Sequence, residues 1–529
     1  MPVSFTLSIE NFGPIRKGKL QIKPVTVLIG PNNTGKSYSM MLFYSLMRVL
    51  SKVSKELQIM FLEELAYLHY YPLRALKRKI TSKELSEIKE IIKELQKEQV
   101  NNLAIKKAIT DLIDLYSKEH LERFNKYVNS PELKESLLAE IERVFSTEVF
   151  NLTKDMKNIA CINLNINGKY TELTCSIKIH PHRKDVKFQA SIKLNKEQIT
   201  NAVLKIVLDI SRNKRINGTK LLIKVAKKIL SSIYEIPALI SSKNIYYLPA
   251  SRAGILHSYR TVASAIVTSA PLAAIRGAEI PRISGVIADF LGNLLKMEPA
   301  GGRKIFIPVE EEIPLRVFKF ATKKEELYNL IKEAGSILEK DILGGNIELE
   351  RRTPILLPEP VYKFNNIKLS IANVSSMVAE LTPLDLYIKY GLIKPGDILI
   401  IEEPESHLHP DKQIKLMEVL TYIAKKLGIT IIITTHSDLI LARLSNLISL
   451  SALRSEEAKD IGLDKKYSIK PSQVAVYSFL KEKDGVRIDK VKVSIEGIPD
   501  DVFRKIIKEL YEETMSMYYR VQKIMKERR

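Results

Sequence analysis

The sequence predicts an α/β protein with a mixed β-sheet, flanking helices and a helical insertion. Three short apolar runs predict buried strands, at Val25–Ile29, Ile398–Ile401 and Ile429–Thr434. A helical pattern follows the first run, from about Lys36 to Val49, and another covers residues 51 to about 145. Buried strands with helices on either side favour a single α/β core that carries a helical insertion.

Alternating apolar and polar residues predict further strands. They cover Phe5–Ile9 and Gly18–Ile22 near the start of the chain, and residues 159–194 further along. Pro72 and Pro131 interrupt the helical pattern of the insertion. A proline cannot continue a helix without loss of a hydrogen bond, so we expect a helical hairpin or a small bundle.

Composition limits the classes of protein to which the chain can belong. Its 529 residues are 45% hydrophobic and 27% charged, which is typical of a globular protein with two to four structural units. No run approaches 18 apolar residues, and no charged-then-apolar leader opens the chain, so we expect a cytoplasmic protein without membrane contact. The net charge of +22 favours polyanionic partners such as DNA or RNA, although a lysine-rich solvated surface gives the same balance.

The two cysteines lie on either side of an Asn167-Gly168 pair that predicts a β-hairpin. A two-residue turn would place Cys161 opposite Thr174, with Cys175 on the other face of the hairpin. A three-residue turn would instead bring the two cysteines opposite each other. The sequence favours free thiols.

The most specific motif is the octapeptide from Gly30 to Ser37, which fits the pattern Gly-x-x-x-x-Gly-Lys-Ser/Thr between a buried strand and a helix. In such a loop, backbone N–H groups and the helix N-terminus bind phosphates, the lysine reaches the β- and γ-phosphates, and the hydroxyl ligates Mg²⁺. The candidate residues for ATP are Gly30, Pro31, Asn32, Asn33, Thr34, Gly35, Lys36 and Ser37.

Two adjacent carboxylates end the second apolar run. We expect Glu402 to hold Mg²⁺ and Glu403 to orient or deprotonate the attacking water. Solvated acids at the end of a strand are the alternative. That alternative is weakened by the phosphate-binding loop in the same chain, because buried carboxylates need a partner and Mg²⁺ with ATP supplies one.

The third apolar run ends at Thr434-Thr435-His436. A histidine at this position can contact the γ-phosphate and respond to its hydrolysis. A lone histidine is more often structural, but the position of His436 after a neighbouring strand favours a catalytic role.

These motifs, in this order, resemble the nucleotide-binding domain of ABC transporters, RecF and structural-maintenance-of-chromosomes (SMC) proteins. The segments Asn11–Ile15, Tyr247–Arg252 and Glu402–Pro410 look like standalone AAA-type ATPases related to the ATPase half of overcoming-lysogenization-defect (OLD) nucleases. The resemblance implies a P-loop ABC-type ATPase head, ATP hydrolysis and a homodimer with ATP at its interface.

The resemblance also implies a signature segment that acts on the ATP of the partner subunit. Ser375 matches the signature serine, and Ser376 follows it as a further candidate contact with ATP. The glycine pair of the family is replaced by Ser376 and Met377. Ser406–His409 corresponds to the loop that crosses the dimer interface. His407 and His409 form a His-x-His pair, which by itself does not define a metal site.

Two assignments stay open in the sequence. Arg252 either reaches a phosphate or anchors its own loop to a carboxylate. The glutamine that completes the Mg²⁺ shell in the family is not identified by a motif, and Gln189 is a candidate for it.

The distance between motifs separates this chain from a bare transporter ATPase. Ser37 and Ser375 are 338 residues apart, which leaves room for a short inserted arm. No acidic cluster follows His436, so we expect no nuclease activity. The expected segments are the N-terminal part of the ATPase head (1–50), a helical insertion (51–150), hairpins and helices of the head (151–254), a helical segment (255–343), the C-terminal part of the head (344–480), and a final strand and helix (481–529).

Three kinds of function follow from these observations. The first is an ATPase that acts on DNA in repair, genome maintenance or antiviral defence. The second is a regulatory ATPase subunit that controls a separate nuclease or toxin effector. The third, a transporter-type subunit, is disfavoured by the large insertion.

Overall fold

The structure is a computed structural model that describes residues 3–71, 74, 102–154, 158–211, 218–258, 283–297, 324–351, 358–499 and 505–527. The chain divides into two compact units. Unit 1 comprises Met1–Gln21 and Tyr38–Ile245, and unit 2 comprises Ile22–Ser37 and Tyr246–Arg529. Strands and helices are numbered along the chain below.

Unit 1 is built from an antiparallel sheet and a set of helices. Its strands lie in the order β6-β5-β4-β1-β2, and β1 pairs with β4, β4 with β5, and β5 with β6 in antiparallel fashion. The strands are β1 (Ser4–Phe12), β2 (Ile15–Ile22), β4 (Ala160–Asn167), β5 (Thr171–His180) and β6 (Asp185–Leu194). The helices are α1 (Lys36–Tyr70), α2 (Asn102–Val128), α3 (Pro131–Phe145), α4 (Lys196–Ser211), α5 (Gly218–Ile233) and α6 (Glu235–Ser241).

The helices of unit 1 pack around an apolar cluster that includes Phe61, Ile113, Val203 and Ile229. Helix α1 does not stop near Val49, as the sequence indicated, but continues to Tyr70. Pro131 ends one helix and begins the next, as expected, because it occupies the first turn of α3, where the missing N–H is tolerated. Residues 72–73 and 75–101 of the predicted helical pattern, which include the predicted break at Pro72, lie outside the described residues.

The cysteine hairpin forms, but with a different register from either predicted turn. Cys161 lies opposite Lys178, and Cys175 lies opposite Leu164. The two thiols therefore belong to opposite faces of the sheet, Cys175 buried and Cys161 half-buried, and the prediction of free cysteines is confirmed. Burial raises the pKa of Cys175 to about 12.

Unit 2 contains a mixed sheet in the order β14-β13-β3-β12-β11-β7 and a small antiparallel sheet in the order β10-β9-β8. Its strands are β3 (Val25–Ile29), β7 (Ile245–Leu248), β8 (Asn346–Glu350), β9 (Glu359–Phe364), β10 (Ile367–Ser370), β11 (Ile398–Glu402), β12 (Thr430–Thr434), β13 (Val474–Glu482) and β14 (Gly485–Val491). The helices are α7 (Arg252–His257), α8 (Gly285–Leu295), α9 (Lys324–Ile337), α10 (Ser376–Lys389), α11 (Pro410–Lys426), α12 (Asp438–Ser449), α13 (Ser455–Asp460) and α14 (Lys505–Glu527).

Strands β3, β12 and β11 are parallel neighbours at the centre of unit 2. Every residue of β3 and β11 is buried, as expected for parallel strands that are covered on both faces. Strand β13 is parallel to β3 and antiparallel to β14, which makes the sheet mixed. The predicted fold class, an α/β P-loop fold with a mixed sheet, is confirmed.

The register of the parallel strands determines where their carboxyl ends lie. Glu402 is opposite Thr434, and Thr434 is opposite Leu28. The loops that follow these three strands therefore begin side by side, at the edge of an open α/β sheet where ligands generally bind.

Candidate nucleotide-binding site

The loop after β3 has a backbone conformation that requires glycine. Gly30 has a φ of +137°, and a Cβ at this position would lie 2.6 Å from the carbonyl oxygen of Phe479 on β13. Asn33 and Gly35 also have positive φ, of 61° and 90°. Only glycine adopts the Gly30 conformation freely, and no side chain fits in the space beside β13.

Helix α1 begins directly after this loop and has no acidic residue of its own at its N-terminus. The helix begins at Lys36, and its first turn contains no acidic residue. Ser37 is exposed, whereas Thr34 and Gly35 are buried. The backbone N–H groups of a first helical turn and the positive end of the helix dipole favour an anion at this position.

Lys36 folds back onto its own loop. Its ammonium group donates hydrogen bonds to the carbonyl oxygens of Gly30, at 2.7 Å, and Pro31, at 2.8 Å. Burial lowers the pKa of Lys36 to about 8, and the negative charges of Glu403, Glu405 and Glu402 oppose this shift. Its ammonium group is thus held beside the loop, within reach of the space that the phosphates would occupy.

Glu402 ends strand β11 with a carboxylate that is oriented by two donors. The hydroxyl of Tyr247 donates to Oε1 at 2.8 Å, and the backbone N–H of Ala250 donates to Oε2 at 3.2 Å. Glu402 is 9% exposed, so its charge lies close to the surface but is not fully solvated. This geometry suits a carboxylate that binds a cation through water.

Glu403 adopts an unusual backbone conformation, with a φ of +42°. Its N–H donates to the carbonyl oxygen of Thr434 at 2.9 Å and lies 3.2 Å from the hydroxyl oxygen of the same residue. The hydroxyl of Ser406 donates to its carboxylate at 3.3 Å. A left-handed conformation costs a non-glycine residue about 1 kcal/mol or more, and here the hydrogen bonds to β12 compensate for it.

Arg252 connects the end of β11 to helix α10. Its guanidinium group forms a buried ion pair with Glu380 at 2.6 Å, and both side chains are almost fully inaccessible to solvent. It also donates to the carbonyl oxygen of Glu402 at 2.5 Å and to that of Pro249 at 3.0 Å. Of the two roles left open by the sequence, the structure therefore supports anchorage to a carboxylate.

His436 follows β12 and is tied to the loop after β11 through Glu405. The Glu405 carboxylate accepts hydrogen bonds from the N–H of His436 at 2.8 Å and from the hydroxyl of Thr435 at 2.7 Å. Partial burial and the positive charge of Lys36 lower the pKa of His436, against the opposing influence of Glu403 and Glu405. The imidazole is therefore neutral at pH 7 and can donate or accept a hydrogen bond.

Ser375 and Ser376 are exposed at the N-terminus of α10, a helix of 14 residues. The Ser375 hydroxyl caps the helix by accepting a hydrogen bond from the N–H of Val378 at 3.4 Å. This hydrogen bond of Ser375 thus lies within the first turn of its own helix. The same helix carries Glu380, so Arg252 links this exposed terminus to the end of β11.

The remaining candidates lie in other places. His407 is exposed with a φ of +61°, and His409 bonds to Asp411 at 2.6 Å. Gln189 is exposed on β6 of unit 1. In the part of the chain that the structure describes, no group of three or more histidine, cysteine, aspartate or glutamate residues could hold a metal ion.

Three residues of the site could not be assigned from sequence. No motif distinguishes Glu380 or Glu405 from other acidic residues of the sequence. Tyr247 lies in a segment that resembles the family, but the resemblance gave it no role. Of the three, Glu405 had the clearest signal in the sequence, because it lies two residues after Glu403 in a segment that resembles the family. Their partners are remote in the chain: Arg252 for Glu380, His436 for Glu405, and Glu402 for Tyr247.

Comparison with known proteins assigns the chain to a family. A family model described as "AAA ATPase domain" matches residues 5–276, about half of the chain. The chain belongs to the AAA ATPase domain family. A second model, "AAA domain, putative AbiEii toxin, Type IV TA system", matches residues 386–442, which include the end of β11 and His436. The resemblance to AAA-type and ABC-type ATPases is thus confirmed.

A curated relative is the energy-coupling factor transporter ATP-binding protein EcfA2 of Bacillus cereus. It is 24% identical over 222 residues, which cover 39% of this chain and 65% of the relative. The chain therefore matches less than two thirds of that protein's length.

Solved structures with some similarity include two heads of SMC proteins. The Smc head domain with an extended coiled coil from Pyrococcus furiosus, bound to the C-terminal domain of ScpA, is 11% identical with a TM-score of 0.37, and covers 96% of this chain and 98% of its own. The SMC head domain from Thermotoga maritima is 11% identical with a TM-score of 0.33, and the match covers 92% of this chain and 98% of that domain. Similarities this weak have no bearing on function.

One finding concerns membranes. None of the helices within the described ranges is long and apolar enough to cross a bilayer.

Proposed function

We propose that this AAA-family protein binds ATP with Mg²⁺ and hydrolyses it between two copies of the chain, and that it acts on DNA. The observation that carries the proposal is the arrangement at the ends of three parallel strands. The phosphate-type loop after β3, Glu402 and Glu403 after β11, and His436 after β12 follow neighbouring strands. Phosphoryl transfer needs these groups in one place because positioning and charge supply most of the catalysis.

Each residue has a proposed task in hydrolysis. Lys36 exchanges the carbonyl oxygens of Gly30 and Pro31 for phosphate oxygens. Glu403 orients the attacking water and takes its proton, and the neutral His436 donates a hydrogen bond to the γ-phosphate.

Ser37 and Glu402 would hold Mg²⁺, and three features fit such a group. Ser37 is exposed at the start of α1, the first turn of α1 has no acid, and the Glu402 carboxylate is fixed by Tyr247 and Ala250. A bound Mg²⁺ neutralises the negative charge that develops on the phosphates.

The proposed dimer uses the exposed N-terminus of α10. Ser375 and Ser376 leave N–H groups and hydroxyls accessible there, and a second copy could present them to the γ-phosphate. Arg252 and Glu380 connect this terminus to Glu402. ATP bound beside Glu402 would therefore change the position of helix α10 in the same subunit.

DNA is the proposed partner because the chain carries a net charge of +22. Counterion release from DNA would make such binding weaken steeply with salt. Filter binding or fluorescence anisotropy with a short duplex, at increasing salt and with and without ATP, measures this directly. Binding that is indifferent to salt would contradict an electrostatic DNA contact.

The first experiment uses Glu403→Gln, which keeps the side-chain size but removes the proposed base. Hydrolysis should fall by about 100-fold or more, because general-base catalysis contributes about that much. ATP should also tighten the dimer of this variant by about tenfold or more, measured by sedimentation equilibrium.

Three further variants separate the parts of this proposal. Lys36→Ala should bind no ATP, and its dimer should not respond to the nucleotide. Ser375→Arg should still bind ATP but lose the tightening. Glu456 is an exposed acid on α13, and Glu456→Gln should behave as wild type.

Near-normal ATP turnover by Glu403→Gln would assign the catalytic role to another residue.

A second function is favoured by the family model over residues 386–442, whose description names a toxin of a toxin–antitoxin system. Here the ATP-dependent dimer would hold or release a separate nuclease or toxin. An effector that co-purifies with Glu403→Gln in ATP but not with Lys36→Ala would support this function, and absence of any ATP-dependent partner would argue against it.

A further inference from the structure

Helix α14, the last helix of the chain, has an apolar side that nothing in its own chain covers within the described residues. It runs from Lys505 to Glu527, about 34 Å at the usual rise of a helix. From residue 510 to 522 its side chains are exposed, apart from the half-buried Met515. Large apolar side chains remain in solvent to an unusual degree, including Leu510 (60%), Met517 (53%) and Val521 (52%).

These apolar residues follow a heptad pattern rather than a random distribution. Spacings of three and four residues alternate along the helix, as in a coiled-coil seam. Within the stretch whose side chains are described, the seam positions are Leu510, Thr514, Met517 and Val521. A seam of this kind is completed by another helix with a matching seam, and a second copy of α14 has one.

The charges beside the seam distinguish the two possible orientations. In heptad terms, Glu513 and Arg520 occupy g positions, and Tyr511 and Tyr518 occupy e positions. Parallel helices place g against e of the partner, so each charge would face an uncharged residue. Antiparallel helices place g against g and e against e, so Glu513 would face Arg520 twice and Tyr511 would face Tyr518 twice.

The antiparallel register also matches the apolar residues of the two copies. When Thr514 of one copy lies level with Met517 of the other, Leu510 lies level with Val521. The four seam positions from Leu510 to Val521 are then all paired. A membrane surface is a poorer occupant, because the helix carries four glutamates among its nine charged residues.

We propose that α14 pairs antiparallel with α14 of a second copy of this chain, and that this contact is independent of ATP. It differs from the proposed ATP-dependent dimer, which uses the N-terminus of α10. A two-helix contact of this length is weak by itself, and it would act by raising the local concentration of a second ATPase head.

The test is the self-association of the full chain without nucleotide, measured by sedimentation equilibrium. Glu513→Arg and Arg520→Glu should each weaken it on the order of tenfold, because each makes two facing pairs repulsive. The double variant exchanges the charges and should restore association to within about twofold of wild type. A double variant as weak as the single ones would overturn the antiparallel pairing.

A matched pair of neighbouring tyrosines supplies the control. Tyr518 is 55% exposed beside the seam, and Tyr519 is 65% exposed on the outer side of the helix. Tyr518→Ala should weaken association severalfold, whereas Tyr519→Ala should leave it unchanged. Equal effects of the two substitutions would contradict the seam.

Disulfide trapping tests the orientation separately. The double variant Leu510→Cys with Val521→Cys should form a covalent dimer on oxidation, whereas Leu510→Cys alone should not. Trapping by Leu510→Cys alone indicates a parallel pair and overturns the proposal, as does a nucleotide-free chain that stays monomeric at its highest soluble concentration. All measurements are repeated in the Lys36→Ala background, which should lack the ATP-dependent dimer. The α14 contact should persist in that background, so loss of one contact is distinguished from loss of the other.

Discussion

Strand β11 of unit 2 and strand β5 of unit 1 use their residues in opposite ways. All five residues of β11 are buried, and its chemistry lies at its carboxyl end, in Glu402 and the following Glu403. The ten residues of β5 alternate between buried and accessible positions, and its polar side chains, apart from the buried Thr171, lie along one face. A parallel strand that is covered on both sides can offer a ligand only its end, so candidate residues are found after such strands.

Two ion pairs, one from each unit, show a similar contrast between burial and exposure. Arg252 and Glu380 of unit 2 are 2% and 0% exposed, whereas Arg123 and Glu119 of unit 1 are 45% and 40% exposed. Burial raises the pKa of Glu380, and the charge of Arg252 acts against that increase. The buried pair therefore depends on both partners, and the exposed pair does not.

The largest expected effect comes from breaking the buried pair. Arg252→Met leaves Glu380 without its cation and frees the carbonyl oxygens of Pro249 and Glu402. We expect a loss of about 3–5 kcal/mol in the free energy of unfolding of unit 2, measured by urea denaturation.

Arg123→Met, the same substitution in the exposed pair, is the control. It should change stability by about 1 kcal/mol at most, because solvent already screens the two charges. Equal losses of stability in the two variants would contradict the distinction between the buried pair and the exposed pair.

A smaller effect is expected from pH, through Lys36. Its pKa is lowered to about 8 in the free protein, and contact with phosphates would raise it in the complex. At a pH above the pKa of Lys36 in the free protein, ATP binding therefore takes up a proton. The affinity for ATP should be constant at pH values below that pKa and should fall as the pH rises through it. We expect a loss of about tenfold between pH 7.5 and 9, measured by calorimetric titration.

Lys36→Arg tests the cause of that loss, because a guanidinium group stays charged over this range. The affinity of this variant should be nearly independent of pH, whatever its absolute value. Identical pH slopes for the wild-type protein and the arginine variant would attribute the pH dependence to another group.

The smallest effect is expected on the polar face of β5. The Ser176 hydroxyl donates to Oδ1 of Asn163 on the adjacent strand at 2.6 Å, in a half-buried position. Ser176→Ala should cost about 0.5–1 kcal/mol of stability and leave ATP hydrolysis unchanged. A clear fall in hydrolysis would show that this face also contributes to activity.

The sequence predicted the parts of the molecule that local physics determines. The buried run Val25–Ile29, the glycine-bearing loop and the two glutamates after Ile401 are contiguous segments, so their strand, turn and carboxylates could be identified without tertiary information. The roles assigned to Lys36, Glu403, His436 and Ser375 stay predictions.

What the sequence missed depends on contacts between distant residues. The Asn167-Gly168 pair predicted a short turn, yet the carboxylate of Glu235 accepts hydrogen bonds from the N–H groups of Lys169, Tyr170 and Thr171. That carboxylate stabilises a longer loop and thereby changes the register of the cysteine hairpin. Arg252 was ambiguous for the same reason, since its partner Glu380 lies far along the chain, on α10.

The left-handed backbone of Glu403 has a consequence for how this protein can change over generations. At that position glycine or asparagine would fit the backbone better than glutamate, so random substitution there can make the fold more stable. Selection for stability alone would therefore favour loss of the proposed base. A descendant that needed only to hold ATP, as a slow switch rather than a turnover enzyme, would be reached by a single stabilising substitution.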